Sequence, residues 1–229
     1  MNRESAPVIA LIGADGAGKS TLIKDLLAHV QKYGPAEAGY LGLGSGPLGR
    51  KIGSLPLIGP TLERVLTKKA QQARDPNGAI PGLLTAIVLY RYSVKRKRRF
   101  DYMAELCKRG ITVLTDRYPQ AEIPGFYDGP GLSAARTASP IIAWLAKREL
   151  QLYQKMADAR PTLVLRLNID LPTALQRAGD HEPDLLAQKI AATPRLTFNG
   201  AHVVDIDATQ SYAAVLADAK KAIDERLGL

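Results

Sequence analysis

The stretch Gly13-Ala14-Asp15-Gly16-Ala17-Gly18-Lys19-Ser20 decides how this chain is read. It fits the spacing G-x-x-x-x-G-K-[ST] in full, which is the spacing of a loop that cradles phosphate. Glycine lets the backbone curl until several amide N–H groups face one anion, and the helix that follows adds the positive end of its dipole. On this reading Gly13, Gly16, Ala17, Gly18, Lys19, Ser20 and Thr21 hold a nucleotide. Lys19 reaches the terminal phosphates and the Ser20 hydroxyl serves Mg²⁺. The flanks are those the motif requires. Pro7-Val8-Ile9-Ala10-Leu11-Ile12 is a short apolar run that reads as a buried strand. Ser20 to Gln31 places Leu22, Ile23, Leu26, Leu27 and Val30 on one helical face.

Outward from this loop, apolar strand runs alternate with helical patterns. Strands are expected near Tyr40 to Leu43, at Ile111 to Thr115, Thr162 to Asn168 and Ala201 to Ile206. Helices are expected over Thr61 to Arg74, Gly82 to Lys108, Ser139 to about Ala159 (with Pro140 in the first helical position), Leu171 to Arg177 and Ser211 to Leu227. Residues 34–60 are rich in Gly and Pro and read otherwise as loop, as do residues 117–138. The alternation predicts an α/β fold of three layers, with a central parallel sheet of about five strands. The length of 229 residues predicts a single domain spanning 1–229.

Composition narrows the function classes. Hydrophobic residues are 46% and charged residues 23%, which excludes a disordered chain, a collagen-like repeat and a coiled-coil rod. A single cysteine, Cys107, excludes an intrachain disulfide framework and a cysteine-based zinc site, and it is expected as an inert core thiol. No signal peptide or membrane-length apolar run is visible, so a cytoplasmic protein is expected. The formal charge of +9 points to a polyanionic partner. Six of the cations, Arg91, Lys95, Arg96, Lys97, Arg98 and Arg99, fall in one acid-free stretch. The run Lys95 to Arg99 reads either as a solvated helix face or as an attractor of an anionic acceptor, a nucleic acid or a membrane surface. Nucleic acid is disfavoured, because aromatic residues only flank the run and do not interleave it. Trp144, among Ile141, Ile142 and Leu145, is expected in the core or in a helix-packed interface.

Asp116 ends an apolar strand, the position of the acid that orders Mg²⁺ in this class of loop. Arg117 and Tyr118 follow at once. An arginine one residue beyond that acid can hold a second anion beside the γ-phosphate, which a kinase needs and a plain ATPase does not. Asp128-Gly129-Pro130-Gly131 reads as a turn whose carboxylate could bind an acceptor hydroxyl or Mg²⁺.

The loop from Gly13 to Leu22 together with Leu114-Thr115-Asp116-Arg117-Tyr118 resembles the thymidylate kinase family of P-loop nucleoside monophosphate kinases. The resemblance extends in order to Arg91, Arg177 and the closing Val203-Val204-Asp205-Ile206-Asp207-Ala208. It implies an ATP- and Mg²⁺-dependent phosphotransferase. Lys19, Asp15, Arg117 and Arg177 would be catalytic, with Asp15 near Mg²⁺ or the acceptor. Ser20 and Asp116 would hold the metal. Arg91, Arg117, Tyr118 and Asp128 would bind the acceptor. Arg177, with His181 or Lys189, would belong to a lid over about 177–195 that excludes water and stabilises charge on the moving phosphoryl. The stretch Asp207-Ala208-Thr209 would lie near the adenine, and a homodimer is left open.

After Tyr118 the chain departs from thymidylate kinases, which continue with Ser and an Ala-Tyr-Gln stretch that holds thymine. Pro119-Gln120-Ala121-Glu122-Ile123-Pro124-Gly125-Phe126-Tyr127 stands there instead, and the lid is poor in arginine. These departures resemble divergent thymidylate-kinase-like proteins associated with bacterial surface-polysaccharide synthesis. The expected acceptor is therefore a small phosphorylated molecule, a nucleoside monophosphate first. A sugar or lipid-linked acceptor and a nucleotide-binding regulatory protein with weak ATPase activity are the alternatives.

Overall fold

The computed structural model describes residues 5–42, 82–134, 137–178 and 182–229. The expected helix over Thr61 to Arg74, most of the Gly- and Pro-rich stretch and His181 lie outside them. The chain divides into two compact units. One comprises Met1–Leu41, Asp101–Tyr118 and Arg160–Leu229, and the other Gly42–Phe100 and Pro119–Ala159.

The first unit is built on five parallel strands: β1 (Val8–Gly13), β2 (Ala36–Gly39), β3 (Thr112–Thr115), β4 (Leu163–Asn168) and β5 (Val203–Asp207). They lie in the order β2-β3-β1-β4-β5. Register is set by pairs such as Ala10 with Thr115 and with Val164. The central strand β1 is apolar on both faces, as a strand covered on both sides demands. Helices α1 (Lys19–Val30), α4 (Leu171–Ala178), α5 (Pro183–Ala192) and α6 (Tyr212–Leu227) belong to this unit. Leu22 and Leu26 of α1, Ala174 of α4, Leu186 of α5 and Ala219 and Ile223 of α6 join Ile9, Leu11, Leu114, Leu165 and Ile206 of the sheet in one core. This is the three-layer α/β architecture of P-loop NTPases.

Two elements differ from expectation. The second strand occupies Ala36–Gly39, a few residues before the predicted site, because pairing with β3 selects it. The ladder begins with the Thr112 amide donating to the Pro35 carbonyl, and Gly39 passes so close to Val113 that a Cβ would stand 2.9 Å from its side chain. Helix α5 was not expected. Pro183 at its start and Asp184 in its first turn are ordinary helix-opening residues, set within a segment that otherwise reads as polar lid.

In the second unit, α3 (Pro140–Ala157) is present. It begins at Ser139-Pro140 as expected. Helix α2 (Leu83–Lys108) lies in this unit as far as Phe100. Its apolar core joins Ala86 and Leu89 of α2 to Ile142 and Leu145 of α3 and to Leu132. Among the described residues, no helix is long and apolar enough to cross a membrane.

Candidate functional site

Residues 14–18 lie between the end of β1 and the start of α1. Gly16 (φ 88°) and Gly18 (φ 84°) take left-handed backbone conformations that side chains disfavour. Gly16 is also fixed sterically, since a Cβ there would meet the Ala174 carbonyl oxygen of α4 at 2.9 Å. Ala14 and Ala17 are buried in the core, so the loop is anchored by small apolar side chains. Lys19 folds back over the loop, its Nζ donating to the Gly13 carbonyl at 2.6 Å and the Ala14 carbonyl at 2.9 Å. Ser20 and Thr21 are exposed in the first turn of α1.

Helices α4 and α5 bring cations to this loop. Lys189 of α5 forms an ion pair with Asp15 at 2.5 Å, in a partly exposed setting. Arg177, in the last turn of α4, donates to the Ala208 carbonyl at 2.7 Å and so ties α4 to the segment after β5. That segment is an Asx turn: the Asp207 carboxylate accepts from the Thr209 amide and hydroxyl, which hold it below the usual carboxylate range. A cavity of about 300 Å³ opens here, lined among others by Gly16, Gly18, Thr21, Arg177, Gln210 and Tyr212. The Tyr212 hydroxyl donates to Asp25 at 2.5 Å, and burial together with that carboxylate pushes the phenol up to about 12. The sequence did not flag Gln210 or Tyr212. The N-cap residue Ser211, which accepts from the Ala214 amide, is the local signal that the chain turns there into a helix.

At the end of β3, Asp116 and Arg117 are both half-buried. The Thr115 hydroxyl donates to the Arg117 carbonyl at 2.8 Å and shapes this exit. Because β3 lies directly beside β1, Asp116 leaves the sheet next to the strand that feeds the phosphate loop. The hydroxyl of Ser20 and the carboxylate of Asp116 are hard oxygen donors, the kind Mg²⁺ takes alongside phosphate oxygens and water. Among the described residues no cluster of three or more His, Cys, Asp or Glu exists that could cage a metal. The donor set therefore fits a Mg²⁺ carried on a nucleotide. Tyr118 is buried edge-to-face against Phe198, with ring centroids 6.5 Å apart, and burial pushes its phenol far above its ordinary range. Cys107 is also buried, and burial raises its thiol pKa, consistent with an inert core thiol.

Arg91 and Asp128, expected on the acceptor side, belong to the second unit. Arg91 is exposed on α2. Asp128 (φ 64°) is almost fully buried and bound by Arg96, one guanidinium nitrogen meeting its carboxylate and another its backbone carbonyl at 2.9 Å. The Arg96 side chain is wholly buried and also donates to the Tyr153 hydroxyl at 3.1 Å. Beside it Glu149 is buried as well, accepting from the Ser93 hydroxyl and the Leu132 amide, each at 2.6 Å. The basic run is thus not one feature. Arg96 is core, Arg99 donates to the Gly42 carbonyl, and Lys95 and Arg98 are at the surface. The burial of Arg96 was readable from spacing, because Leu89, Ser93, Arg96 and Phe100 repeat at alternating steps of four and three along one helical stripe. Its partner lies 32 residues away in a loop and carries no such signal. Trp144 departs from expectation too: it is 55% exposed, with the Arg148 guanidinium over its ring at 5.5 Å.

No protein-family model matches the chain. It is 42% identical over 217 residues to the "Uncharacterized ATP-binding protein YghR" of Escherichia coli, a match that covers 94% of this chain and 86% of that protein. It is 41% identical over 228 residues to the "Uncharacterized ATP-binding protein YghS" of Escherichia coli, covering 99% of this chain and 96% of the relative. With a complete phosphate loop on a five-stranded parallel sheet and this likeness along nearly its whole length, the chain belongs to the family of the ATP-binding proteins YghR and YghS.

Proposed function

We propose that this chain binds ATP with Mg²⁺ and transfers the γ-phosphoryl to a small phosphorylated acceptor, a nucleoside monophosphate first. The observation that carries the reading is the pairing of a complete phosphate loop with Asp116-Arg117 at the exit of the adjacent strand. The likeness to proteins named as ATP-binding supports the ATP half of the reading. The cavity beside Arg177 and Gln210 receives the nucleoside, at the lower end of the size range for small-molecule sites. Phosphates displace the Gly13 and Ala14 carbonyls from Lys19, which then follows the terminal phosphates. Bound Mg²⁺ supplies charge neutralisation on the phosphate oxygens, held by Ser20 and Asp116.

In phosphoryl transfer the transition state is loose, so the protein contributes mainly position and positive charge. Arg117 holds the acceptor anion. Lys189 on α5, already in contact with Asp15, supplies charge from the lid side, and its release frees Asp15 to orient the acceptor. The lid cations and the enclosing helices keep water from the phosphoryl group.

A second reading replaces the nucleotide acceptor with a sugar or lipid-linked phosphate. It is favoured by the segment after Tyr118, which departs from the thymine-holding pattern. Gln120 closes this segment on itself, donating to the carbonyls of Ile123 at 2.9 Å and Phe126 at 2.7 Å. Coupled measurement of ADP formation with each nucleoside monophosphate, with Lys19→Ala and Asp116→Ala as controls, separates the readings. Turnover stimulated by one monophosphate supports the first. ATP consumption that none of them stimulates moves the assignment to the second. Tight ATP binding without turnover overturns both in favour of a regulatory nucleotide-binding protein.

A further inference from the structure

We propose that the N-terminal halves of α2 and α3 form a docking surface for an anionic lipid membrane, with an apolar tip for the headgroup boundary and a basic band for the lipid phosphates. The two helices advance together: Ala86 and Leu89 share a cluster with Ile142 and Leu145, Ser93 bonds Glu149, and Arg96 bonds Tyr153. They therefore run in the same direction, and both begin at the same end of the unit.

Among the described residues that end is apolar and exposed. Leu84 is 76% exposed and Ile141 57%, and Leu83, Ile87 and Trp144 stand exposed with them. These five account for most of the large exposed apolar side chains among the described residues. One to two turns further along the residues become basic: Arg91 and Lys95 on α2, and Lys147 and Arg148 on α3. No acid occurs between residues 83 and 100, and the only acid between 140 and 157 is the buried Glu149. An apolar end followed by a collar of cations suits end-on contact with a membrane, where the apolar side chains enter the acyl boundary and the cations meet anionic headgroups. The Arg148–Trp144 stack suits that boundary, since indole rings gather at the headgroup level.

Charge complementarity selects this occupant. A second copy seated face to face would oppose two basic bands, and like charges brought together oppose association. A nucleic acid would satisfy the band and leave the aliphatic tip without a partner.

Trp144 is the single tryptophan of the chain, so its fluorescence reports on the tip directly. The full chain is mixed with phosphatidylcholine vesicles, with and without phosphatidylglycerol, and sedimentation is followed together with Trp144 emission and its quenching by brominated acyl chains. Binding that requires phosphatidylglycerol, a blue shift and quenching are expected. Lys95→Glu and Lys147→Glu should each weaken binding by at least about five-fold. Leu84→Ser with Ile141→Ser should abolish quenching while circular dichroism stays unchanged. Absence of vesicle binding, binding without quenching, or a blue shift produced by self-association without lipid would each overturn the proposal. So would DNA retention abolished by the same charge reversals in a chain that ignores vesicles.

Discussion

The loop at 13–20 and the loop at 119–131 both turn the chain through positive φ, by different means. The first spends only glycines on it, Gly16 and Gly18, which adopt those angles without penalty. The second spends one glycine, Gly125 (φ 84°), and also puts Tyr127 (φ 47°) and Asp128 (φ 64°) there, at a cost of roughly 1–2 kcal/mol each. A shape of that kind persists only where its surroundings impose it. Here they do so through Gln120, which bonds across the loop, and through Arg96, which grips Asp128 by side chain and backbone. The phosphate loop takes its positive φ angles from its own glycines, with Gly16 held besides against Ala174 of α4. The second loop borrows its conformation from a helix far away in the chain.

The comparison can be broken most forcefully at Arg96. Arg96→Ala removes a wholly buried cation and strands Asp128, so a loss of about 3–5 kcal/mol is expected in urea unfolding. A change within the range of a surface substitution would show that the second loop holds itself. At Lys19 the expectation is reversed. On the proposed function, Lys19→Ala should lower phosphoryl transfer by about 10²–10³-fold in the coupled assay, since it removes the donor that the proposal assigns to the terminal phosphates. Its unfolding midpoint should barely move, because Lys19 is only half-buried.

Gly16→Ala tests the local side of the contrast. The new Cβ meets a backbone carbonyl at 2.9 Å and sits at φ 88°, so about 1–3 kcal/mol of stability should be lost, together with ATP affinity. Retention of both would remove the steric reason for that glycine.

The smallest effect lies outside both loops, where Arg166 and Asp205 pair across β4 and β5. The Arg166 bond is the chief reason the Asp205 carboxyl sits below its ordinary range. Its contribution is therefore present above the unfolded value near 3.9 and is lost as pH falls through the folded value. At 53% exposure the pair is worth less than about 1 kcal/mol. Asp205→Asn should be slightly less stable at neutral pH, and its thermal midpoint should converge with the unsubstituted chain below about pH 4. A gap that widens in acid would reverse the assignment.

The legible parts share one property. Strand β1, the phosphate loop and α1 follow one another without a break, so periodicity and glycine spacing describe them completely. The position of Asp116 at a strand exit was legible because it ends an apolar run. Helix α5 was missed because a short helix in a polar stretch shows little contrast, although Pro183 marked its start. The contact of Lys189 with Asp15 spans 174 residues and leaves no trace in either neighbourhood. Trp144 misled because an indole among apolar residues reads as core, and only the packing of α3 shows which of those residues face inward.

The sequence by itself determined that this chain builds a phosphate cradle on a parallel α/β sheet, because that device is encoded by adjacent residues whose backbone freedom and hydropathy are local quantities. Tertiary structure alone decided which distant cations come to lie beside that loop, which one is buried to hold another loop, and which ones remain on an outer face with an apolar tip. Charge is written into the sequence, but whether a charge meets a partner, a ligand or solvent depends on distances that only the folded chain sets.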